Sequence, residues 1–197
     1  MKHLPHLERR AKIVRGAMAA FARSGFRGTR SRDLARAAGV SEALIFRHFP
    51  SKRALQKAII EERLRQSGPF LSREIREAPL AVALPAVAAR VIQLSERDPD
   101  FMRLLYYSGL EREPLAPMFF RRRVTKSISE VSGLIRTWIR RGWVRKSVDP
   151  LLCAWSFMAC LFQLMAARHI FGVRRLAGRS GDLSEMVADL FLRGVRA

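Results

Sequence analysis

The sequence predicts an all-α protein with a three-helix N-terminal domain, residues 1–66, and a larger helical domain, residues 67–197. Apolar residues recur every three or four positions along most of the chain, which is the spacing of an amphipathic helix. The alternation with period two that is typical of a β-strand is not sustained over any useful length. The residues at 67–69, Ser-Gly-Pro, interrupt the helical pattern and therefore mark the expected domain boundary.

The first helix is expected to run from about Leu7 to Ser24, because Ile13, Ala17 and Phe21 share one apolar face. Gly25 follows as a residue that tolerates the positive φ at which many helices end. The start of the chain, residues 1–10, reads as a polar, basic arm.

The next stretch, residues 29–49, has the sequence TRSRDLARAAGVSEALIFRHF and predicts two short helices joined by a tight turn. Ala35 supplies the small side chain at the helix crossing, Gly39 supplies the turn, and Ser41 supplies an N-cap for the second helix. The residues assigned to the core are Leu34, Ala35, Val40, Ile45 and Phe49. Such a helix-turn-helix usually places its second helix in the major groove of DNA.

Helices in the second domain are expected near residues 70–77, 80–96, 99–109, 117–142, 149–171 and 182–195. Within them, residues 151–167 form an uncharged stretch of 17 residues, which is at the lower limit for a membrane span. Gln163 and the charged residues on both sides favour a buried helix in a soluble protein. A basic protein anchored in a membrane by 151–167 stays open as an alternative.

The charge balance favours a polyanionic partner, since 37 Lys and Arg oppose 17 Asp and Glu. This charge is densest in residues 1–65, which hold 16 basic and 5 acidic residues. A phosphate-facing surface requires such a concentration.

The sequence predicts no enzyme, no cofactor and no metal site. Its four histidines are scattered, and it contains neither a glycine-rich phosphate loop nor a serine elbow. The two cysteines, Cys153 and Cys160, are too far apart on one helix to form a disulfide, which is typical of a reducing cytoplasm. The N-terminus lacks the pattern of a signal peptide, so a cytoplasmic location is expected.

The segment GFRGTRSRDLARAAGVSEALIFRHFPSKRAL closely resembles the DNA-binding signature of the TetR/AcrR transcriptional repressors. The matching residues are Gly25, Phe26, Thr29, Leu34, Ala35, Ala38, Gly39, Val40, Ser41, Phe46, His48, Phe49, Ser51, Lys52 and Leu55. Three residues depart from the family pattern: Arg30 stands where a second Thr is frequent, Ala43 where Gly is frequent, and Phe46 where Tyr is usual. The resemblance implies a ligand-responsive repressor that binds a palindromic DNA operator as a homodimer.

The expected DNA contacts fall into two groups, because phosphate contacts supply affinity and base contacts supply specificity. The phosphate group contains Thr29, Ser41, His48 and Lys52 from the resemblance, Arg27 and Arg30 from their charge and position, and Phe46, which lacks the hydroxyl of the usual Tyr. The base-reading group contains Arg47 for guanine, Glu42 for cytosine, and Ala43 and Leu44 for a thymine methyl.

For the second domain the resemblance implies ligand binding, and dimerisation through helices at about 149–171 and 182–195. The candidate ligand-binding residues are Met102, Tyr106, Phe119, Trp138, Trp155, Met158 and Phe162. An excess of arginine over acidic residues favours a small apolar effector that is neutral or anionic rather than cationic. Two further alternatives stay open, a DNA-binding protein that responds to no ligand and an enzyme with a DNA-binding appendage.

Overall fold

The computed structural model describes residues 6–66, 68–176 and 178–196, and eleven α-helices lie within these ranges. They are α1 (His6–Gly28), α2 (Ser31–Ala38), α3 (Glu42–His48), α4 (Lys52–Gln66), α5 (Arg73–Glu77), α6 (Leu80–Glu96), α7 (Pro99–Leu110), α8 (Leu115–Phe119), α9 (Thr125–Arg140), α10 (Pro150–His169) and α11 (Ser180–Val195). A π-helical stretch, Phe120–Val124, joins α8 to α9. The β-structure in these ranges is one isolated bridge between Val144 and Arg196, so the all-α prediction is confirmed.

The chain divides into two compact units. Unit 1 comprises Met1–Gly68 and Asp100–Phe120, and unit 2 comprises Pro69–Pro99 and Arg121–Ala197. The division predicted after residue 66 lies close to the first of these boundaries. The structure differs in adding most of α7 and all of α8 to unit 1, because their apolar residues complete its core. The periodicity of the sequence shows that α7 and α8 each have an apolar face. It does not show which other helices that face contacts.

The core of unit 1 gathers one apolar face from each of α1, α2, α3, α4, α7 and α8. Its most fully buried members are Ile13, Ala17, Phe21, Leu34, Ile45, Leu55, Ile59, Ile60, Leu104 and Leu115. α1 and α2 approach closely at Gly16, where a Cβ atom would lie 2.6 Å from the backbone of Ala38. This glycine therefore allows the α1–α2 crossing that carries the helix-turn-helix.

The beginning and end of α1 differ from the predictions. The helix begins at His6, one residue before the predicted Leu7, so the second half of the predicted basic arm is helical, while residues 1–5 lie outside the described ranges. At the other end Gly25 has φ 68° and ψ 178°, which breaks the helix as predicted, and one further helical turn continues to Gly28.

Unit 2 is built around α10, which packs against α6, α9 and α11. Asp149 caps this helix, since its carboxylate accepts hydrogen bonds from the N–H groups of Leu151 and Leu152 at 2.8 and 2.7 Å. Near the other end Arg168 pairs with Glu96 at 2.5 Å. By length and composition alone, α10 is also long and apolar enough to cross a membrane. Its most apolar stretch of 18 residues has a mean hydropathy of 1.7, and 33% of that stretch is buried within the protein.

Candidate nucleic-acid interface

The turn between α2 and α3 has the geometry that the sequence predicts. Gly39 takes a left-handed conformation, φ 61° and ψ 44°, and the N–H of Val40 bonds to the carbonyl of Ala35 at 3.0 Å. Ser41 then caps α3, because its hydroxyl accepts a hydrogen bond from the N–H of Leu44 at 3.2 Å. The C-terminal end of α2 and the N-terminal end of α3 are therefore both capped by groups within five residues of the turn.

α3 turns one narrow face to the core and leaves the rest on the surface. Ile45 is fully buried and Phe49 closes the end of the helix against the core. The residues left exposed are Ser41, Glu42, Ala43, Phe46 and Arg47, with Leu44 and His48 half-buried. All seven were predicted as DNA contacts, and the structure brings them together on one short helix and its cap.

Arg47 is a base-reading candidate that the geometry leaves accessible. It lies in the last turn of α3, is exposed, and has no salt bridge to any carboxylate within the described ranges. A guanidinium in this state retains its full set of donors for a bidentate contact with guanine.

The structure shows that the hydroxyl of Thr29 has a partner inside the protein. Its side chain is only 1% exposed, and its hydroxyl donates to the carbonyl oxygen of Gly25 at 2.5 Å. In this conformation the hydroxyl is not available to a phosphate, because it has already donated its proton inside the protein, and the phosphate contact of Thr29 stays a prediction. Thr29 closes the turn between the break in α1 and the start of α2.

Lys52 and Arg27 also have structural partners close to this turn. The ammonium of Lys52 donates to the carbonyl oxygens of Phe26 and Thr29, each at 2.8 Å, which leaves one of its three N–H groups for a further acceptor. Arg27 is exposed, and one nitrogen of its guanidinium donates to the carbonyl oxygen of Glu111 at 3.3 Å. Arg30 is exposed, and its backbone N–H donates to the Asp33 carboxylate at 3.0 Å.

The end of α3 contacts the beginning of α1. The rings of His6 and His48 lie 4.6 Å apart, and the guanidinium of Arg10 lies over the Phe49 ring at 4.4 Å. Partial burial lowers the pKa of His48, and the nearby His6 and arginines, including Arg47, lower it further. A neutral imidazole at this position retains one N–H that can donate to a phosphate.

Sequence reasoning missed Glu111, which lies directly after α7 and 85 positions after Phe26. Its carboxylate accepts hydrogen bonds from the N–H groups of Phe26 at 2.8 Å and Arg27 at 3.3 Å. Nothing in the local sequence around residue 111 indicates this partnership, because it depends on how α7 packs in unit 1.

Comparisons with known proteins show which family the N-terminal region resembles. The family model described as bacterial regulatory proteins of the tetR family matches residues 13–59, which hold α2, α3 and most of α1. The regulator RutR of Escherichia coli O157:H7 is 30% identical over 139 residues, which are 70% of this chain and 65% of RutR. Residues 13–59 of this chain are therefore similar to the DNA-binding region of the TetR family.

Solved structures of transcriptional regulators share the fold over almost the whole chain. The ketosteroid transcriptional regulator KstR2 of Mycobacterium tuberculosis has a TM-score of 0.74 at 19% identity, over 96% of this chain and 95% of that one. A transcriptional regulator from Saccharomonospora viridis, solved in complex with choline, has a TM-score of 0.73 at 21% identity, over 98% and 100%. At these identities the likeness establishes the fold.

The predicted ligand-binding residues are divided between the two units. Met102, Tyr106 and Phe119 belong to unit 1, whereas the other four belong to unit 2. Within unit 2, Trp138 and Met158 are each only 1% exposed, Phe162 is half-buried, and Trp155 is exposed on α10. Trp138 borders a void of about 10 Å³, which is room for one water molecule at most. Trp138 and Met158 are therefore core residues.

A larger cavity of unit 2 involves none of the predicted residues. This cleft has a volume of about 360 Å³ and is lined by Pro79, Leu80, Ala81, Gly142, Trp143, Leu192 and Arg196. The guanidinium of Arg141 lies 5.0 Å from the centre of the Trp143 ring. Within the described ranges there is no group of three His, Cys, Asp or Glu residues that could hold a metal.

Proposed function

We propose that this protein is a ligand-responsive transcriptional repressor of the bacterial cytoplasm that binds a palindromic operator as a homodimer. The observation that carries the proposal is the surface of α3, where a capped helix exposes a charged and apolar set of base-reading side chains. The match of residues 13–59 to the TetR family model and the similarity to RutR support the same function. RutR is itself described as a transcriptional regulator.

On this proposal α3 enters the major groove and Arg47 reads a guanine. Glu42, Ala43 and Leu44 complete the base-reading surface. The phosphate contacts come from Ser41, His48, Lys52, Arg27 and Arg30, with Phe46 packing beside them. Because Phe46 lacks the hydroxyl of the usual Tyr, the attraction for phosphate comes from Arg30 and the other cations.

The homodimer is proposed to form through α10 and α11, which expose large apolar side chains. These are Leu151, Leu152 and Trp155 on α10, and Met186 and Leu190 on α11. Two antiparallel helices from each of two copies would bury this surface in a four-helix bundle. The same exposed side chains are compatible with a membrane, so solubility and oligomeric state must be measured together.

The effector is proposed to bind in the cleft beside Trp143. The cleft has a volume within the range of small-molecule sites, an aromatic wall, and Arg196 in its lining. No salt bridge to Arg196 or Arg141 is present within the described ranges. These cations favour an anionic or neutral apolar molecule, in contrast to the choline bound by the regulator from Saccharomonospora viridis.

The effector site is tested by calorimetric titration with two aromatic probes of matched size and opposite charge, 2-naphthoate and 2-naphthylmethylammonium. We expect the anion to bind, and Trp143→Ala or Arg196→Gln to weaken its binding, while Phe171→Ala, at an exposed position outside the cleft and the proposed dimer surface, leaves it unchanged. Equal binding of both probes, or binding insensitive to both variants, would contradict this placement.

Operator binding is tested by selection from a pool of random DNA duplexes at about 0.15 M salt. A specific regulator should enrich a palindrome with half-sites about 34–36 Å apart, or a multiple of that distance. Enrichment of no motif, together with a steep loss of affinity in salt, would identify a nonspecific DNA binder instead. Recovery of the protein in the membrane fraction, rather than as a soluble dimer on sizing, would favour the anchored alternative.

A further inference from the structure

We infer that Glu111 is a positioning residue for DNA recognition, acting on α3 through the turn that precedes α2. The inference rests on the proposed function, since it concerns how the DNA-reading helix is held. Glu111 lies outside both the family match and the helix-turn-helix, yet it belongs to the same compact unit.

The break at Gly25 creates the need for such a residue. At φ 68° and ψ 178° the helix is interrupted, so the N–H groups that follow lose their helical acceptors. The Glu111 carboxylate replaces those acceptors, with one oxygen 2.8 Å from the N–H of Phe26 and the other 3.3 Å from the N–H of Arg27. A charged acceptor at the start of a helical turn is the stronger form of this bond.

The space around this contact leaves little freedom. A Cβ atom at position 25 would lie 2.5 Å from a Glu111 carboxylate oxygen and 3.2 Å from the Tyr107 ring. Only a glycine both adopts this backbone conformation and admits the carboxylate. The backbone of Glu111 is also engaged, because its carbonyl oxygen accepts from the guanidinium of Arg27 at 3.3 Å.

The segment that carries Glu111, between α7 and α8, is held by hydrogen bonds of its own. Its N–H donates to the carbonyl of Tyr107 at 2.8 Å, and the next residue, Arg112, takes a left-handed conformation with φ 57°. Ser108, which is fully buried, donates its hydroxyl to the carbonyl of Glu113 at 3.1 Å and accepts from the N–H of Ala116 at 2.9 Å. The carboxylate is thus presented from a fixed support.

The turn held by Glu111 leads directly into the helix-turn-helix. Lys52 binds the carbonyl oxygens of Phe26 and Thr29, and α2 begins at Ser31. Because the α2–α3 turn is short and capped at both ends, the direction of α2 fixes that of α3. Loss of the Glu111 contact should therefore misplace the reading face without unfolding the unit.

Charge alone predicts the opposite result, which makes the inference testable. Replacing an acid by a neutral residue strengthens the attraction of a basic protein for DNA. Glu111→Gln retains the size of the side chain but sets an amide N–H₂ against one of the two backbone N–H groups. We expect its affinity for the selected operator to fall about tenfold, with a smaller loss on a scrambled duplex of equal length.

The matched control is Glu61→Gln, which removes the same charge from an exposed position on α4 where Glu61 pairs with Lys57 at 3.8 Å. This variant should bind both duplexes at least as tightly as the unaltered protein. Equal behaviour of the two variants, whether tighter or weaker, would overturn the role of Glu111.

Amide hydrogen exchange on the DNA-free protein provides a readout that does not depend on an operator. In Glu111→Gln the amides of Phe26 and Arg27 should exchange faster, while those of Ile13 and Leu34 in the core keep their protection. Unchanged exchange at Phe26 and Arg27 would contradict the inference even if operator binding were lost. Failure of the unaltered protein to select any operator would instead contradict the proposed function.

Discussion

The two turns that flank α2 are closed in different ways. The turn into α3 is closed by Gly39 and Ser41 through hydrogen bonds that span five residues or fewer. The turn into α2 has the local bond from Thr29 to Gly25, but it is also closed by Lys52, 23 positions away from Thr29, and by Glu111, 85 positions away from Phe26. A local turn can form as soon as its two helices meet, whereas the other requires the whole unit to be folded.

This difference separates two tasks within one DNA-binding unit. The local turn sets the angle between α2 and α3, so we expect it in any chain that has a helix-turn-helix of this kind. The long-range turn sets how that pair is held against α1, α4 and the end of α7. The predictions below test whether the second turn is as dependent on its distant partners as the contacts indicate.

The largest effect is expected from Gly25→Ala. Alanine at φ 68° and ψ 178° is strained, and its Cβ overlaps the Glu111 carboxylate, so unit 1 should lose about 3 kcal/mol of stability. Urea denaturation measures the loss. Gly133→Ala is the control, because nothing lies within 4 Å of its Cβ in α9, and it should stabilise by about 0.5–1 kcal/mol. Equal effects at both positions would show that the turn is not constrained.

Lys52→Met should have the next largest effect. It leaves the carbonyl oxygens of Phe26 and Thr29 without their donor and should reduce the free energy of unfolding by about 2 kcal/mol. Lys57→Met on the same helix breaks only an exposed ion pair with Glu61 and should change it by less than about 1 kcal/mol. A loss from Lys57→Met as large as that from Lys52→Met would mean that the two carbonyl bonds contribute nothing.

A smaller effect is expected from Gly39→Ala in the local turn. The left-handed conformation at φ 61° and ψ 44° costs a non-glycine residue about 1 kcal/mol, and no backbone atom opposes the new Cβ. Gly39→Asn should cost less, since asparagine tolerates this region. If Gly39→Ala proved more damaging than Gly25→Ala under the same denaturant, the proposed contrast between the turns would be reversed.

The smallest effect concerns pH. Because partial burial and neighbouring cations lower the pKa of His48 below its value in the unfolded chain, the unfolded state binds the proton more readily. Stability from this group is therefore complete above the unfolded pKa and declines as the pH falls through the lowered folded pKa. His48→Gln should narrow the stability difference between about pH 7.5 and pH 5.

An NMR titration checks the cause of that shift. The imidazole of His48 should titrate below the ordinary histidine value, and Arg47→Ala should bring its pKa back towards that value. A pKa at or above the ordinary value in the unaltered protein would contradict the burial of His48 beside these cations.

The same contrast explains how much could be predicted from the sequence. Gly39, Ser41 and the buried face of α3 were predicted correctly because each depends on neighbours a few residues away. The bond of the Thr29 hydroxyl inside the turn was not predicted, and Glu111 was missed because its partner is distant in sequence. In unit 2 the core and the lining of the cleft both contain aromatic residues. The sequence pattern therefore could not distinguish Trp138, which lies in the core, from Trp143, which lines the cleft.

The most direct test of the account is a base-by-base affinity scan of the selected operator with the unaltered protein and Arg47→Ala. The unaltered protein should lose about 1–3 kcal/mol of binding free energy when the guanine contacted by Arg47 is replaced. Arg47→Ala should lose its preference at that position and at its symmetry mate, and retain it elsewhere. A uniform loss at every position, with all base preferences intact, would contradict the claim that α3 reads DNA through Arg47.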